Sequence, residues 1–482
     1  MRARRWRIFL GVLLTAAVFL AAVAGDLLDF IPGPLSLSPS HVGTLPRPAV
    51  LGRPAIVVGR LEAGGSVDAA SLDRIVDEFT SSPGLGGDYS FVIERPDGTR
   101  LAGKDEKRSR EPASTLKTLT AAAAIHALDM SSTLNTDVML SNDGGTSGRR
   151  ADLHLRGGGD MLLGSGADDP HHVNGRSGLG SLAQRTARLL RDRGISAVSL
   201  TCDDTLFGGD GAPKGIERNN PGGIYFMPPS PMAIDQGRDW SGRGVPSDPD
   251  GENGYPPRYG HPATRACQVF SSSLIGQGIK VNGSSDPSSA PLPPSGRTPS
   301  SARRIARGQS ATLGQILALM LRNSDNSLAE LFGRLVALKT GGDNSAKGAK
   351  DAVLSALKAA GINVEGVTLA DCSGLSPGSS IRVETLAAVQ RQALAGGEQA
   401  DLVEGLSVMG LVGTAAGRSV GDGVPGLARV KTGTLDEVTS MCGIVSRKSG
   451  GALAFAVIVN KAENGYEASQ AINRLVSSLV DL

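Results

Sequence analysis

The spacing of apolar residues changes several times along the chain, and each change marks a different kind of segment. Ile8 to Ala24 is an unbroken apolar or small run behind Arg2, Arg4, Arg5 and Arg7. A basic start, an apolar stretch and a closing Ala22-Val23-Ala24 have the layout of an export signal. The run also reaches the lower limit, roughly 17 residues, for a retained membrane anchor. From Pro32 to Pro54 prolines recur without periodicity, which predicts an extended linker. Leu72, Ile75, Val76 and Phe79 then fall on one face at helical spacing, predicting a helix over 67–79. The stretches 89–95 and 100–103 flank Pro96-Asp97-Gly98, a hairpin pattern with turn residues where they are needed.

An Ala-rich segment from Ser114 to about Met130 predicts a second helix. Between 136 and 305 the texture becomes short strand-like pieces (152–156, 197–201) separated by Gly-rich turns. Helices are expected near 182–192 and 262–275, and exposed Pro/Ser/Gly loops near 241–258 and 283–301. Helical periodicity returns after Thr312. A strand pair at 441–445 and 453–459 and a helix from Tyr466 close the chain, and no internal repeat is visible.

Composition narrows the classes. With 65 Gly and 27 Pro among 482 residues, turns abound, but the share stays below the ~25–30% of low-complexity chains. Charge is balanced at 49 basic against 47 acidic residues, and there are only 10 Phe, 5 Tyr and 2 Trp. Neither a polyanion footprint nor a base-stacking platform is present, so no nucleic-acid partner is expected. His171-His172 beside Asp168 and Asp169 is the nearest approach to a metal cluster, but adjacent ligands on a Pro- and Gly-flanked loop read as solvated surface. Cys202, Cys267, Cys372 and Cys442 contain no CxxC pair. In an oxidising compartment they allow up to two disulfides, with three connectivities open.

Three short motifs carry chemistry. Ser114-Thr-Leu-Lys117 opens a helix, which puts hydroxyl and amine on one face and leaves backbone N–H groups free for a developing oxyanion. Ser324-Asp325-Asn326 interrupts two helical runs with polar residues; the bland alternative is an N-cap. Lys431-Thr432-Gly433-Thr434 precedes the strand pair and is expected on an edge strand. Each has a decoy. Ser355-Ala-Leu-Lys358 sits inside an amphipathic helix, Lys339-Thr340-Gly341 reads as a helix C-terminus, and Gly417-Arg-Ser-Val-Gly421 lacks the strand and helix a nucleophile elbow needs.

SxxK, then SDN, then KTG, in that order, is the set shared by serine β-lactamases and penicillin-binding proteins. The 210 residues between Ser114 and Ser324 exceed what a compact β-lactamase needs. The chain thus resembles the low-molecular-mass class C penicillin-binding proteins, the D-Ala-D-Ala carboxypeptidase/endopeptidase family. Leu153-His-Leu-Arg-Gly-Gly-Gly-Asp160, Asp203-Asp204-Thr-Leu-Phe207, Asp371-Cys-Ser-Gly-Leu-Ser376 and Gly410-Leu-Val-Gly-Thr414 add to the likeness, which covers about 70–482. The sequence departs from the family where Pro377-Gly-Ser-Ser380 follows Ser-Gly-Leu-Ser in place of an Arg, and where Cys372 stands for a usual Gly.

The resemblance implies an α/β fold of the penicillin-binding/serine β-lactamase type: an antiparallel sheet flanked by helices, a helical subdomain, and a β-rich inserted region. The division expected is 1–25 signal peptide or anchor, 26–66 linker, 67–135 and 306–482 catalytic domain, and 136–305 insertion. It further implies an exported cell-envelope enzyme acting on peptidoglycan stem peptides and acylated by β-lactams, with no metal or cofactor. Ser114 would be the nucleophile and Lys117 its base, made neutral by burial and by a cation such as Lys431. Ser324 and Lys431 would relay the proton. Asn326, Thr432, Gly433 and Thr434 would bind substrate, and Asp203 would meet its distal amine. A β-lactamase and a non-catalytic envelope scaffold are the alternatives.

Overall fold

The computed structural model describes residues 2–27, 66–142, 150–208, 211–251, 254–421 and 423–482. The chain divides into two units, Met1–Gly59 and Arg60–Leu482. In the first, helix α1 (Arg2–Leu27) carries the apolar run. Among the described residues no helix is long and apolar enough to cross a membrane. The Pro-rich stretch 32–54 lies outside the described residues.

The second unit begins with α2 (Ala69–Thr80), β1 (Tyr89–Glu94) and β2 (Arg100–Lys104), then a 3-10 turn (Ala113–Leu116) leading into α3 (Lys117–Ala127). Helix α2 starts two residues later than its apolar face suggests, because the Asp68 carboxylate accepts from Ser71 N–H and caps it. The long helix expected from Ser114 is shorter at both ends: the 3-10 turn takes its start, and Leu128 is already extended.

Next come β3 (Thr133–Asn142), β4 (Arg150–Gly157), β5 (Asp160–Leu163), α4 (Leu179–Arg191), β6 (Ala197–Asp203), β7 (Met232–Ile234), α5 (Pro262–Gly276), β8 (Lys280–Val281) and β9 (Arg303–Thr312). Strands β8-β6-β4-β3-β9 form a five-stranded mixed sheet, parallel between β4, β6 and β8. Its apolar face packs on α4 and α5 around Leu153, Leu182, Leu200 and Phe270, so this region is α/β rather than simply β-rich. The sheet runs past 136–305 at both ends, since β3 starts at Thr133 and β9 ends at Thr312. A disulfide joins Cys202 on β6 to Cys267 on α5, while Cys372 and Cys442 are buried thiols.

The chain then continues through α6 (Leu313–Arg322), α7 (Asn326–Thr340), α8 (Ala346–Ala359), α9 (Val383–Leu394), α10 (Ala400–Gly405), β10 (Ser407–Val408), β11 (Ala428–Leu435), β12 (Val438–Ser446), β13 (Ala452–Asn460) and α11 (Gly465–Val480). Strands β10-β11-β12-β13-β1-β2 make a six-stranded antiparallel sheet. Its centre is buried on both faces, which explains why β13 reads as a continuous apolar run. Leu453, Phe455 and Val457 pack with α2 and α11, where Phe79 meets Phe91 edge-on at 5.4 Å. Ala456 and Ile458 face the helical block of α3, α6, α7, α8 and α9. Strand β1 lies beside β13, with Tyr89 opposite Val459, so the sheet joins the two ends of this unit.

Candidate active site

The site is assembled where α3 leaves its 3-10 turn. In that tighter helix, side chains at i and i+3 eclipse, and Lys117 Nζ donates to Ser114 Oγ at 2.9 Å. The same amine donates to Asn326 Oδ1 at 2.7 Å and to the Ser373 carbonyl at 2.8 Å. Lys117 is fully buried. Burial pulls its amine down from 10.5 to about 8, against the opposing pull of Asp371, Asp325 and Glu330. Burial therefore does the lowering expected of it, and the neighbours that act on the amine are carboxylates, not the Lys431 cation.

Backbone geometry sets the position of the half-buried nucleophile. Ala113 adopts φ 48°, a costly conformation for a residue with a Cβ, and it turns the chain immediately before Ser114. Pro112 O is held by Ser440 Oγ at 2.6 Å and Thr115 Oγ1 at 2.7 Å. Gly433 lets β11 approach this turn: a Cβ there would stand 2.9 Å from Pro112 O and 3.0 Å from Ser114 N.

The SDN triplet divides its labour. Asp325 is the N-cap of α7, accepting from Leu328 N–H at 2.9 Å. Ser324, at φ 55°, and Asn326 flank the cap and face the site. Ser324 Oγ accepts from Lys431 Nζ at 3.0 Å. Asn326 spends one N–H on Tyr225 O, leaving one N–H and one lone pair for a ligand. The cap falls to Asp325, while Ser324 and Asn326 on either side of it contact the Lys431 and Lys117 amines.

Lys431 is fully buried and also donates to Thr432 O at 2.8 Å. The edge-strand expectation needs one correction. Strand β10 covers β11 at Arg429 and Val430, and the outer side of β11 is open only from Lys431 on. Thr432 Oγ1 lies 2.8 Å from Thr414 Oγ1, and Thr434 is exposed. Ser114, Lys117, Asn326, Ser324 and Lys431 are thus brought together through two direct amine–hydroxyl contacts and the Asn326 bridge.

Asp203 stands apart from that constellation. Its carboxylate accepts from Thr298 N–H at 2.8 Å and from Thr205 Oγ1 at 2.7 Å, beside a cavity of about 620 Å³ lined also by Arg156 and Arg297. The decoys resolve by position. Ser355 and Lys358 are exposed on α8, Lys339-Thr340 ends α7 with Gly341 in the left-handed cap, and 417–421 is loop. His172 Nδ1 is paired with Asp169 at 2.7 Å.

Several supporting residues take roles that the sequence motifs did not assign. Asp371 is fully buried, and its carboxylate accepts the N–H groups of Ser373, Gly374, Leu375 and Ser376 and the Ser373 hydroxyl. It thereby shapes the loop that offers Ser373 O to Lys117. An Asp ahead of Ser and Gly is a turn pattern that could have flagged it. Cys372 is admitted because its neighbour on α7 is Gly333, where any Cβ would collide with the Cys372 sulfur. From the 133–312 region, Arg238 pairs with Asp325 at 3.2 Å, Met227 N–H donates to Ser327 Oγ at 2.9 Å, and Phe226 and Ile216 pack on Leu375. No local pattern announces these contacts.

The antiparallel sheet with helices on both faces is the fold of a solved penicillin-binding protein. It superposes on the crystal structure of penicillin binding protein 4 (dacB) from Haemophilus influenzae with a TM-score of 0.65 at 21% identity, covering 86% of this chain and 100% of that one. The D-Ala-D-Ala carboxypeptidase 3 (S13) family matches at residues 72–241 and 254–479, and the chain belongs to that family. Over 475 residues it is 30% identical to carboxypeptidase DacB of Mycolicibacterium smegmatis, covering 96% of this chain and 95% of that protein. Over 438 residues it is 30% identical to carboxypeptidase Rv3627c of Mycobacterium tuberculosis, covering 89% and 87%.

Proposed function

We propose that this family member hydrolyses the terminal D-Ala-D-Ala bond of peptidoglycan stem peptides, and D-Ala cross-links between them, through an acyl-enzyme on Ser114. The observation that carries the reading is the contact between a fully buried amine and the serine hydroxyl, 2.9 Å apart, with the amine lowered to about 8. At neutral pH roughly a tenth of such an amine is unprotonated, against less than one part in a thousand for an ordinary lysine.

In the proposed course, Ser114 Oγ attacks the carbonyl carbon between the two D-Ala residues as its proton passes to Lys117. The N–H groups of Ser114 and Thr434 receive the oxyanion. The C–N bond then breaks, and the leaving amine takes a proton through Ser324 and Lys431. Water attacks the ester, releasing the shortened peptide and restoring Ser114. Asn326 would hold the substrate amide with its remaining N–H and lone pair, while Lys431 and Thr432 hold the terminal carboxylate and Gly433 keeps the strand close. Asp203 would meet the distal amine of a longer stem peptide. The reading also takes 67–135 and 306–482 as one catalytic domain, supported by the β1–β13 pairing, with 136–305 inserted. The N-terminal segment would export the chain for work on the cell wall; as a retained anchor it would tether the enzyme to the membrane.

β-Lactams would acylate the same serine; a solved relative of this fold, from Haemophilus influenzae, is a β-lactam complex. The test is covalent labelling of the purified protein by a fluorescent penicillin. Ser114→Ala should abolish the label and Ser355→Ala should leave it; the reverse would refute the assignment. A long-lived acyl-enzyme is expected, whereas rapid turnover of penicillin would make the chain a β-lactamase. Mass spectrometry of monomeric and cross-linked peptidoglycan fragments after incubation would measure carboxypeptidase against endopeptidase action.

A further inference from the structure

Helix α7 reaches the catalytic lysine by two routes, and the mechanism above uses only one. Asn326 touches Lys117 directly. Glu330, one turn further along α7 and on the same face, is 1% exposed and accepts the backbone N–H of Cys372. The carbonyl of Cys372 is held in turn by Thr120 Oγ1 from α3 at 2.6 Å. The next residue, Ser373, supplies the carbonyl that meets Lys117 Nζ at 2.8 Å. The peptide leading into that carbonyl is therefore pinned on one side by Glu330 and on the other by Thr120.

Charged and titratable groups face Glu330 from every element around it. Asp371 and Cys372 belong to the loop, Arg334 to α7 itself, Lys350 to α8 and Lys117 to α3. We propose that Glu330 is a positioning residue for Lys117: it fixes the Cys372–Ser373 segment against the amine, and its own charge state governs how tightly that amine holds its proton. The proposal rests on the reading of Lys117 as acceptor of the Ser114 proton.

The electrostatics agree with the geometry. Burial, reinforced by Asp371, lifts the Glu330 carboxyl from 4.5 to about 8, while burial brings Lys117 down to about 8 from above. An ionised Glu330 favours the ammonium form of Lys117, and a protonated Glu330 removes that support. A Gln at 330 keeps an oxygen for the Cys372 N–H but can never ionise, so Lys117 should give up its proton at lower pH. A Leu removes both the acceptor and the charge, leaving the N–H without a partner.

The experiment measures the second-order rate of penicillin acylation of the full chain against pH, with thermal melting alongside. In E330Q the acidic limb of the profile should move down by about one pH unit, with the plateau within about threefold of wild type. In E330L the plateau should fall at least about tenfold in a protein that still melts cooperatively. An E330Q profile superimposed on wild type overturns the proposal, as does a folded E330L that acylates normally at every pH. If E330L does not fold, the E330Q profile decides alone. A Lys117→Ala variant separates the two levels of inference. Full acylation without the lysine sinks the proton-acceptor reading itself, whereas a silent Lys117→Ala with an unshifted E330Q sinks only the role of Glu330.

Discussion

Replacing Asp371 by Asn would take one oxygen from a carboxylate whose two oxygens are both fully engaged. Oδ1 accepts from Gly374 N–H at 2.6 Å and Ser373 N–H at 3.1 Å; Oδ2 accepts from the Ser373 hydroxyl at 2.6 Å, Leu375 N–H at 3.0 Å and Ser376 N–H at 2.8 Å. In either orientation an Asn keeps one set and turns its NH2 toward the other, so at least two buried donors face a donor. At about 1–3 kcal/mol for each unsatisfied group, the loss is about 2–6 kcal/mol. Two effects then compete at Lys117. Losing the Asp371 charge would lower the amine further and speed acylation, by about tenfold for one unit of pKa. Losing the loop geometry displaces the Ser373 carbonyl, and a misplacement of ~1 Å in an active site costs about a hundredfold. The second effect is larger, so Asp371→Asn should acylate about tenfold more slowly at neutral pH. Urea unfolding gives the stability and penicillin labelling the rate. A variant as stable as wild type within about 0.5 kcal/mol, with acylation unchanged or faster, would refute the account of this loop.

Two further outcomes follow from single atoms. Gly433→Ala places a methyl 2.9 Å from Pro112 O and 3.0 Å from Ser114 N, so labelling should slow at least tenfold at a stability cost of about 1–3 kcal/mol; normal labelling would show that β11 can retreat from the nucleophile. Asp160 is buried, with Oδ2 unpartnered, and burial raises its carboxyl from 3.8 to about 7. The native state therefore keeps a proton that the unfolded chain releases, so this group's contribution to stability is greatest below about pH 4 and falls as pH rises to about 7. Asp160→Asn should be more stable than wild type by about 2–4 kcal/mol above pH 7, a gain that shrinks toward pH 4; a gain equal at both pH values would contradict it.

Much of the fold could be read from local pattern because its cause is local. The faces of α2, α7 and α11 and the paired runs of β12 and β13 follow from which side chains must leave water. The decoys were separable for the same reason: Ser355 and Lys358 sit on a helix whose apolar positions already point the other way. The motif order Ser114, Ser324, Lys431 carried the family, though not the way its members touch.

What tertiary structure alone decided are contacts between residues far apart in the chain. The pairing of β1 with β13 joins positions such as Tyr89 and Val459, and β10 covers the outer edge of β11 at Arg429 and Val430. The 3-10 turn under Ser114 depends on Ala113 in a left-handed conformation that its sequence does not favour. Asp371, Glu330, Tyr225 and Arg238 act on Lys117 and the SDN triplet through buried hydrogen bonds and ion pairs whose partners arrive from other elements. Periodicity records which side of an element is buried. It says nothing of which polar group waits there, and in a low-dielectric interior that partner determines whether a lysine is a surface charge or a base.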